Sequence, residues 1–170
     1  QGEYVDIEIE DDIEVKEFLE RINEQLPDGI KFVKGQEIDP KTPSLSSIIV
    51  YGEYIFNIDL EVPLSKEFVK SRVLNFVKSK EIIITKKNKK GKKVEVDIRP
   101  MIRNFDLVSL DDNRVTFVST IATGSKANLN INILIPQILD MLNLDMDPRE
   151  VGVLRRDLYK VEDGQLVTPL

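Results

Sequence analysis

A run of lysines near the middle of the chain carries the most concentrated charge in the sequence. The stretch TKKNKKGKKVEVDIRP, residues 85–100, includes Lys86, Lys87, Lys89, Lys90, Lys92 and Lys93. A lysine set against a nucleic-acid phosphate releases condensed counterions, so binding by such a cluster weakens steeply with salt. Arg99 and Arg103 follow closely and could extend the patch. The cluster predicts contact with an RNA backbone, whereas the absence of interleaved aromatic residues argues against base stacking.

The same lysines have a purely structural interpretation. Lysine side chains keep the edges of exposed strands from pairing with other sheets. A solvated hairpin tip would therefore also be rich in lysine. The composition leaves both interpretations open.

A second candidate site is the loop Thr123-Gly124-Ser125-Lys126. It lies between a predicted strand and a predicted helix. Backbone N–H groups at Gly124 and Ser125, the Ser125 hydroxyl and the Lys126 ammonium group could hold one phosphate or sulfate. The loop lacks the spacing of a nucleotide-binding P-loop, and a plain strand-to-helix connection is the competing interpretation.

The chain has no histidine and no cysteine. This composition excludes Ser-His-Asp and Cys-His nucleophile pairs, disulfides, iron–sulfur clusters and ordinary zinc sites. We therefore predict no catalytic residue, no metal ligand and no cofactor, and a chain that is not an enzyme on its own. A carboxylate-dependent enzyme whose remaining residues lie upstream stays open as an alternative.

Charge is distributed unevenly along the 170 residues. Residues 1–64 carry 5 Lys/Arg and 16 Asp/Glu, a net charge of −11, whereas residues 65–126 carry 15 and 7, a net charge of +8. The middle third can thus attract a polyanion although the whole chain is acidic. No apolar run reaches the roughly 18 residues needed to span a bilayer, so we expect a cytoplasmic protein.

The first part of the chain predicts a β-α-β unit. Apolar and acidic residues alternate over 4–10, which is the period of a half-buried strand. Residues 14–26 carry one apolar helical stripe, with Asp11 or Asp12 able to cap the helix, and residues 30–38 return as a strand. Two strands and one helix make too little sheet to be stable alone, so we interpret residues 1–43 as part of a first ferredoxin-like domain.

Residues 44–170 predict a second domain with more strands. After an ambiguous apolar run at 45–51, strands are expected at 53–61, 81–87, 92–99, 105–110, 114–120 and 151–161. Helices are expected at 66–79, capped by Ser65, and at 132–143, where Pro136 should force a late start or a kink. The order predicts an α+β fold with antiparallel sheets, helices on one face of each sheet, and a ferredoxin-like second domain carrying a lysine-rich hairpin.

Four segments, taken in chain order, resemble the radical-SAM-linked protein family: 2–8, 96–100, 153–159 and 163–170. In that family this domain is fused behind a radical S-adenosylmethionine (radical-SAM) enzyme or stands alone, and it carries no established activity. The resemblance implies a bacterial protein linked to RNA or the ribosome, with a radical-SAM protein as a possible partner. Family members usually have an upstream region that is absent here, so the chain resembles an N-terminally truncated member.

These observations together favour a non-catalytic accessory domain that binds RNA or a ribonucleoprotein electrostatically. The alternative from a different class is a protein–protein docking module that uses a sheet face or the acidic first part. The sequence identifies neither an RNA target nor an oligomeric state.

Overall fold

The computed structural model describes residues 3–10, 12–87 and 90–170, and for Lys87 it describes the backbone alone. Four α-helices lie in this part of the chain: α1 (Val15–Asn23), α2 (Leu45–Ile48), α3 (Lys66–Lys78) and α4 (Ile131–Leu142). The strands are β1 (Tyr51–Asp59), β2 (Ile83–Lys87), β3 (Lys93–Asp97), β4 (Ile102–Leu110), β5 (Arg114–Ala122), β6 (Gly152–Glu162) and β7 (Gln165–Val167). No helix in the described ranges is long and apolar enough to cross a membrane.

The main sheet is curled and antiparallel, with five strands in the order β4-β5-β1-β6-β7. Strands β1, β4, β5 and β6 with helices α3 and α4 follow the chain order β-α-β-β-α-β, and β1 and β5 lie at the centre. This is the ferredoxin-like arrangement predicted for residues 44–170. The α+β fold class is thereby confirmed.

One face of the sheet packs against both long helices. Alternate side chains of the central strands, including Phe56, Ile58, Val115 and Phe117, are fully buried on this face. They join one apolar cluster with α3, through Val69 and Phe76, and with α4, through Leu134, Ile135, Ile138, Leu139 and Leu142. Apolar side chains that repeat every two residues in the strands and every 3.6 residues in the helices therefore form a single core.

Helix α3 is the element that the sequence predicts best. It begins at Lys66 and ends at Lys78, and the Ser65 hydroxyl accepts a hydrogen bond from the Phe68 N–H at 3.2 Å. Helix α4 begins one residue earlier than predicted and runs through Pro136 without interruption. The predicted late start is thus wrong, because Asn130 caps the helix by accepting from the Asn132 N–H at 2.9 Å.

The β2–β3 hairpin is an insertion between α3 and β4, and it forms a two-stranded sheet of its own. Its base belongs to the core, because Ile84 and Ile98 are buried. Gly91 has a φ of 74° in the turn, a conformation that glycine adopts without strain. The hairpin predicted from the alternation of Val94 and Val96 is confirmed.

The structure differs from the prediction at both ends of the chain. Segments 4–10 and 30–38 form no strand within the described residues, because an alternating segment becomes a strand only beside a partner strand. Helix α1 begins at Val15 after Glu14, without the side-chain cap expected from Asp12, whereas Asp11 lies outside the described residues. Strand β7 was not predicted, although the Asp163-Gly164 turn that creates it, with φ values of 50° and 78°, is a recognised hairpin signal.

Candidate nucleic-acid interface

The register of the hairpin fixes where its charged residues lie. Lys86 pairs with Val94 and Ile84 with Val96, so Lys86 occupies the same face as the apolar residues that reach the core. On the other face, Lys87 lies opposite Lys93 and Thr85 lies opposite Glu95. The two strands thus carry lysine at their outer ends on both faces.

The lysines at the end of the hairpin are open to solvent. Lys86, Lys90, Lys92 and Lys93 are exposed, whereas Lys89 and the side chain of Lys87 lie outside the described residues. Within the described part of the chain, neither Lys86 nor Lys93 forms an ion pair with a carboxylate. The ammonium groups of Lys86 and Lys93 are therefore accessible to an external anion.

Arg99 lies at the base of the hairpin and acts as a clamp. Its guanidinium donates to the carbonyl of Val77, near the end of α3, at 2.7 Å, and to the carbonyl of Ile102, at the start of β4, at 2.8 Å. Asp97 also joins the two ends of the insertion, which we call the neck of the hairpin. One of its carboxylate oxygens accepts hydrogen bonds from the N–H groups of Ile82 at 2.8 Å and Arg99 at 3.0 Å. Arg99 therefore holds the two ends of the insertion together.

Arg103 lies beyond the hairpin, in an irregularity of strand β4 between Ile102 and Asn104. Its guanidinium carbon is 5.3 Å from the centre of the Tyr51 ring, and it donates to the Gly164 carbonyl at 3.0 Å. Arg103 is exposed, so its charge is accessible. Its contacts are with β1 and the β6–β7 turn.

The predicted anion loop is a tight connection. Thr123 and Asn128 form an isolated antiparallel bridge across it, and Gly124 is buried, such that an added Cβ would lie 3.0 Å from the carbonyl oxygen of Ile49. Ser125 and Lys126 are exposed. Because Asn130 caps α4 several residues later, the loop does not itself form the helix N-terminus. Ser125 and Lys126 bring exposed polar side chains to the predicted anion site, and the Thr123 hydroxyl oxygen is buried without a hydrogen-bond partner among the described residues.

The sheet face away from the long helices carries charges that are paired within the molecule. Arg114 donates to Asp59 at 2.6 Å, and Arg156 lies 3.3 Å from Glu53. Arg155, which lies opposite Tyr54 in the sheet, pairs with Glu3. The Arg114 guanidinium also lowers the pKa of the Asp59 carboxyl by hydrogen bonding. This face is thus less suited to a polyanion than the hairpin.

Tyr4 fastens the start of the chain to strand β6. Its hydroxyl donates to a carboxylate oxygen of Asp157 at 2.8 Å. Desolvation by burial, together with this hydrogen bond to an anion, raises the pKa of Tyr4 to about 12. The sequence predicted neither this contact nor the Glu3–Arg155 pair, because no local pattern links residues so far apart in the chain.

In the described ranges no group of three or more carboxylates is placed to hold a metal ion. The lysine-rich end of the β2–β3 hairpin is therefore a better candidate site than a metal centre.

Comparison with known proteins assigns a family. The sequence pattern of a family described as uncharacterized protein conserved in bacteria (DUF2344) matches residues 1–131. The chain belongs to this family. The DUF2344 match spans α1, the hairpin, β4 and β5, and its description names no activity, substrate or partner. No curated protein and no solved structure matches the chain.

Proposed function

We propose that this chain is a non-catalytic accessory domain that binds RNA through the phosphates, using the lysine-rich end of the β2–β3 hairpin. The observation that carries the proposal is the exposure of Lys86 and Lys93 on a two-stranded ribbon outside the main sheet. Neither residue forms an ion pair within the described chain. A ribbon of this kind can follow a phosphate backbone as an electrostatic contact.

Two arginines on the open sheet face are less available to an external anion than the hairpin lysines are. On the open sheet face, Arg114 and Arg156 are already paired with carboxylates. Arg99 donates to two backbone carbonyls, which suits it to hold the hairpin in position. Binding would therefore be local, electrostatic and weakly dependent on base sequence.

The resemblance to the radical-SAM-linked family adds a second part to the proposal, namely a partner protein. In this view the domain positions an RNA or ribonucleoprotein for a radical-SAM protein, to which it is fused or with which it associates. Co-elution of the chain with a purified radical-SAM protein from the same genome is the expected result in size-exclusion chromatography. Separate elution at micromolar concentrations would remove this part and leave the RNA proposal standing.

A filter-binding titration at several salt concentrations tests RNA binding, with tRNA and ribosomal RNA as probes. The test variant carries Lys→Gln changes at 86, 90, 92 and 93. The control carries four Lys→Gln changes at other exposed lysines, namely 66, 70, 78 and 80. Each lost phosphate contact lowers the slope of log K against log salt by about 0.7 to 0.9.

We expect the hairpin variant to lose at least two such contacts and the control to lose less than one. Equal affinity and equal salt dependence for the two variants would contradict the proposal. Circular dichroism of both variants verifies that the fold is retained.

A further inference from the structure

The first part of the chain leaves its apolar side chains uncovered. Large apolar residues that are exposed among the described residues include a group before position 39: Val5, Ile7, Ile9, Ile30, Val33 and Ile38. Val33 is 86% exposed and Ile30 is 60% exposed. Within the described ranges no residue before Gly52 is buried. Six such residues between positions 5 and 38 are more than the single scattered apolar side chains that protein surfaces normally expose.

Within the first part of the chain, segment 30–38 packs against helix α1. The Asn23 side chain bonds both the N–H of Phe32, at 2.8 Å, and its carbonyl, at 3.0 Å, which fixes the return of the chain after the helix. Gly35 lies against Val15 and Leu19, where an added Cβ would be 3.3 Å from a Val15 methyl group. The segment 30–38 thus packs on α1, yet α1 buries none of its residues completely.

An open groove of about 440 Å³ runs beside α1. Its apolar lining comes from Ile9, Ile13, Phe18 and Ile22, and Arg21, Glu24 and Gln25 lie at its rim. Ile9 belongs to segment 4–10, in which apolar and acidic residues alternate and which forms no strand within the described residues. No backbone hydrogen bond joins residues 5–9 to another segment of the described chain. Such a segment offers both an apolar face and free backbone groups to an added strand.

The net charge of residues 1–43 favours a basic partner. Residues 1–43 carry 13 Asp/Glu and 5 Lys/Arg, a net charge of −8. A second copy would bring the same net charge to the contact and would be repelled. A strand whose side chains alternate between apolar and basic would cover the apolar residues while it neutralises the carboxylates of Glu8 and Glu10. The Asp6 carboxylate already accepts a hydrogen bond from the Leu45 N–H at 2.8 Å.

We propose that residues 4–38 are a docking surface for a partner protein, which contributes a β-strand of alternating apolar and Lys/Arg residues. The strand pairs with segment 5–9 and places its apolar side chains over Ile7, Ile9 and the groove beside α1. Docking would thus make segment 5–9, which forms no strand within the described residues, one strand of an intermolecular sheet. This surface is separate from the lysine hairpin and does not depend on RNA binding.

The test measures binding of a fluorescein-labelled 11-residue peptide of alternating valine and lysine, with a valine–glutamate peptide of the same length as the charge control. The variant is Ile7→Ser with Ile9→Ser, which are exposed by 43% and 47% and whose replacement leaves the core intact. The matched control is Val62→Ser with Val108→Ser, exposed by 73% and 59%. Fluorescence anisotropy gives the affinities, and amide hydrogen exchange locates the bound peptide.

We expect saturable binding of the lysine peptide, a dissociation constant raised about tenfold by the Ile7/Ile9 changes, and less than a twofold change in the control. The amides of residues 5–9 should become protected in the complex. Absence of saturable binding, equal affinity in both variants, or protection elsewhere would each overturn the proposal. Sedimentation velocity tests whether a second copy occupies the surface. Self-association that the Ile7/Ile9 changes abolish would assign the surface to a second copy and would also overturn the proposal.

Discussion

Among the predicted RNA-binding residues, Arg99 is bound to the backbone of the protein itself. Its guanidinium is engaged by the carbonyls of Val77 and Ile102, one on each side of the hairpin insertion. The predicted role of Arg99 in RNA contact stays a prediction. Its observed role is to fix the base from which the lysines project, because charge-assisted hydrogen bonds to backbone groups are among the stronger polar contacts.

Tyr4 provides a test of how the start of the chain is held. Its pKa is raised from 10.0 to about 12, so the unfolded or detached form loses its proton first as the pH increases. The stability that the Tyr4–Asp157 contact contributes is therefore fully present below pH 10 and is lost as the pH rises through about 12.

We expect the free energy of unfolding to fall more steeply between pH 10 and 12 in the native sequence than in Tyr4→Phe. Urea unfolding at a series of pH values measures this difference. Tyr159 also has a raised pKa, mainly through burial, so the comparison between the two proteins, and not the native curve alone, isolates Tyr4. Parallel curves for the two proteins would show that the Tyr4 hydroxyl is not held by Asp157.

At the scale of elements, strand β1 depends on a glycine at its second position. Gly52 lies between β5 and β6, where an added Cβ would be 2.9 Å from the Tyr54 ring and 3.1 Å from the Thr123 methyl group. Both distances are shorter than ordinary carbon–carbon contacts. A larger residue must therefore push the buried Tyr54 ring or the loop after β5 out of place.

We predict that Gly52→Ala lowers the free energy of unfolding by about 2 kcal/mol through this overpacking. Gly152→Ala is the matched control, because the nearest contacts of its added Cβ would be 3.6 Å away, at Asn57. Urea denaturation measures both variants. Equal stability of the two would contradict the close approach at Gly52.

The elements that could be predicted from sequence are those whose partners lie nearby in the chain. The cap at Ser65, the period of α3 and the β2–β3 hairpin each follow from local spacing. The missing strands at 4–10 and 30–38 show the limit of this reasoning, because alternation reveals the capacity to pair and not the presence of a neighbour. For the same reason the lysine hairpin was predictable, whereas the clamp formed by Arg99 across 22 residues was not.

At the scale of the whole molecule, the buried apolar core is formed by residues that follow the first part of the chain. The buried apolar residues begin at Tyr54 and continue to Leu158. The described contacts between the first residues and the sheet include the Glu3–Arg155 pair and the Tyr4–Asp157 hydrogen bond. The proposed boundary between residues 43 and 44 follows this division, and it stays a prediction.

We therefore expect residues 44–170 to fold without the preceding segment. Because no buried core residue is removed, the midpoint of cooperative thermal unfolding should change by only a few degrees, as expected for a loss of about 1 kcal/mol. Circular dichroism and calorimetry measure the transition. A shortened chain that lacks a cooperative transition would show instead that residues 1–43 are part of the folding unit.

The clamp at the neck of the hairpin has a consequence for how far the domain can reach. Arg99 holds the end of α3 close to the start of β4 regardless of what lies between them. Each residue pair inserted beyond the neck would therefore extend the ribbon by about 3.4 Å and leave the scaffold unchanged. On the proposed function, the length of the ribbon would therefore set the distance between the scaffold and an RNA bound at the end of the hairpin.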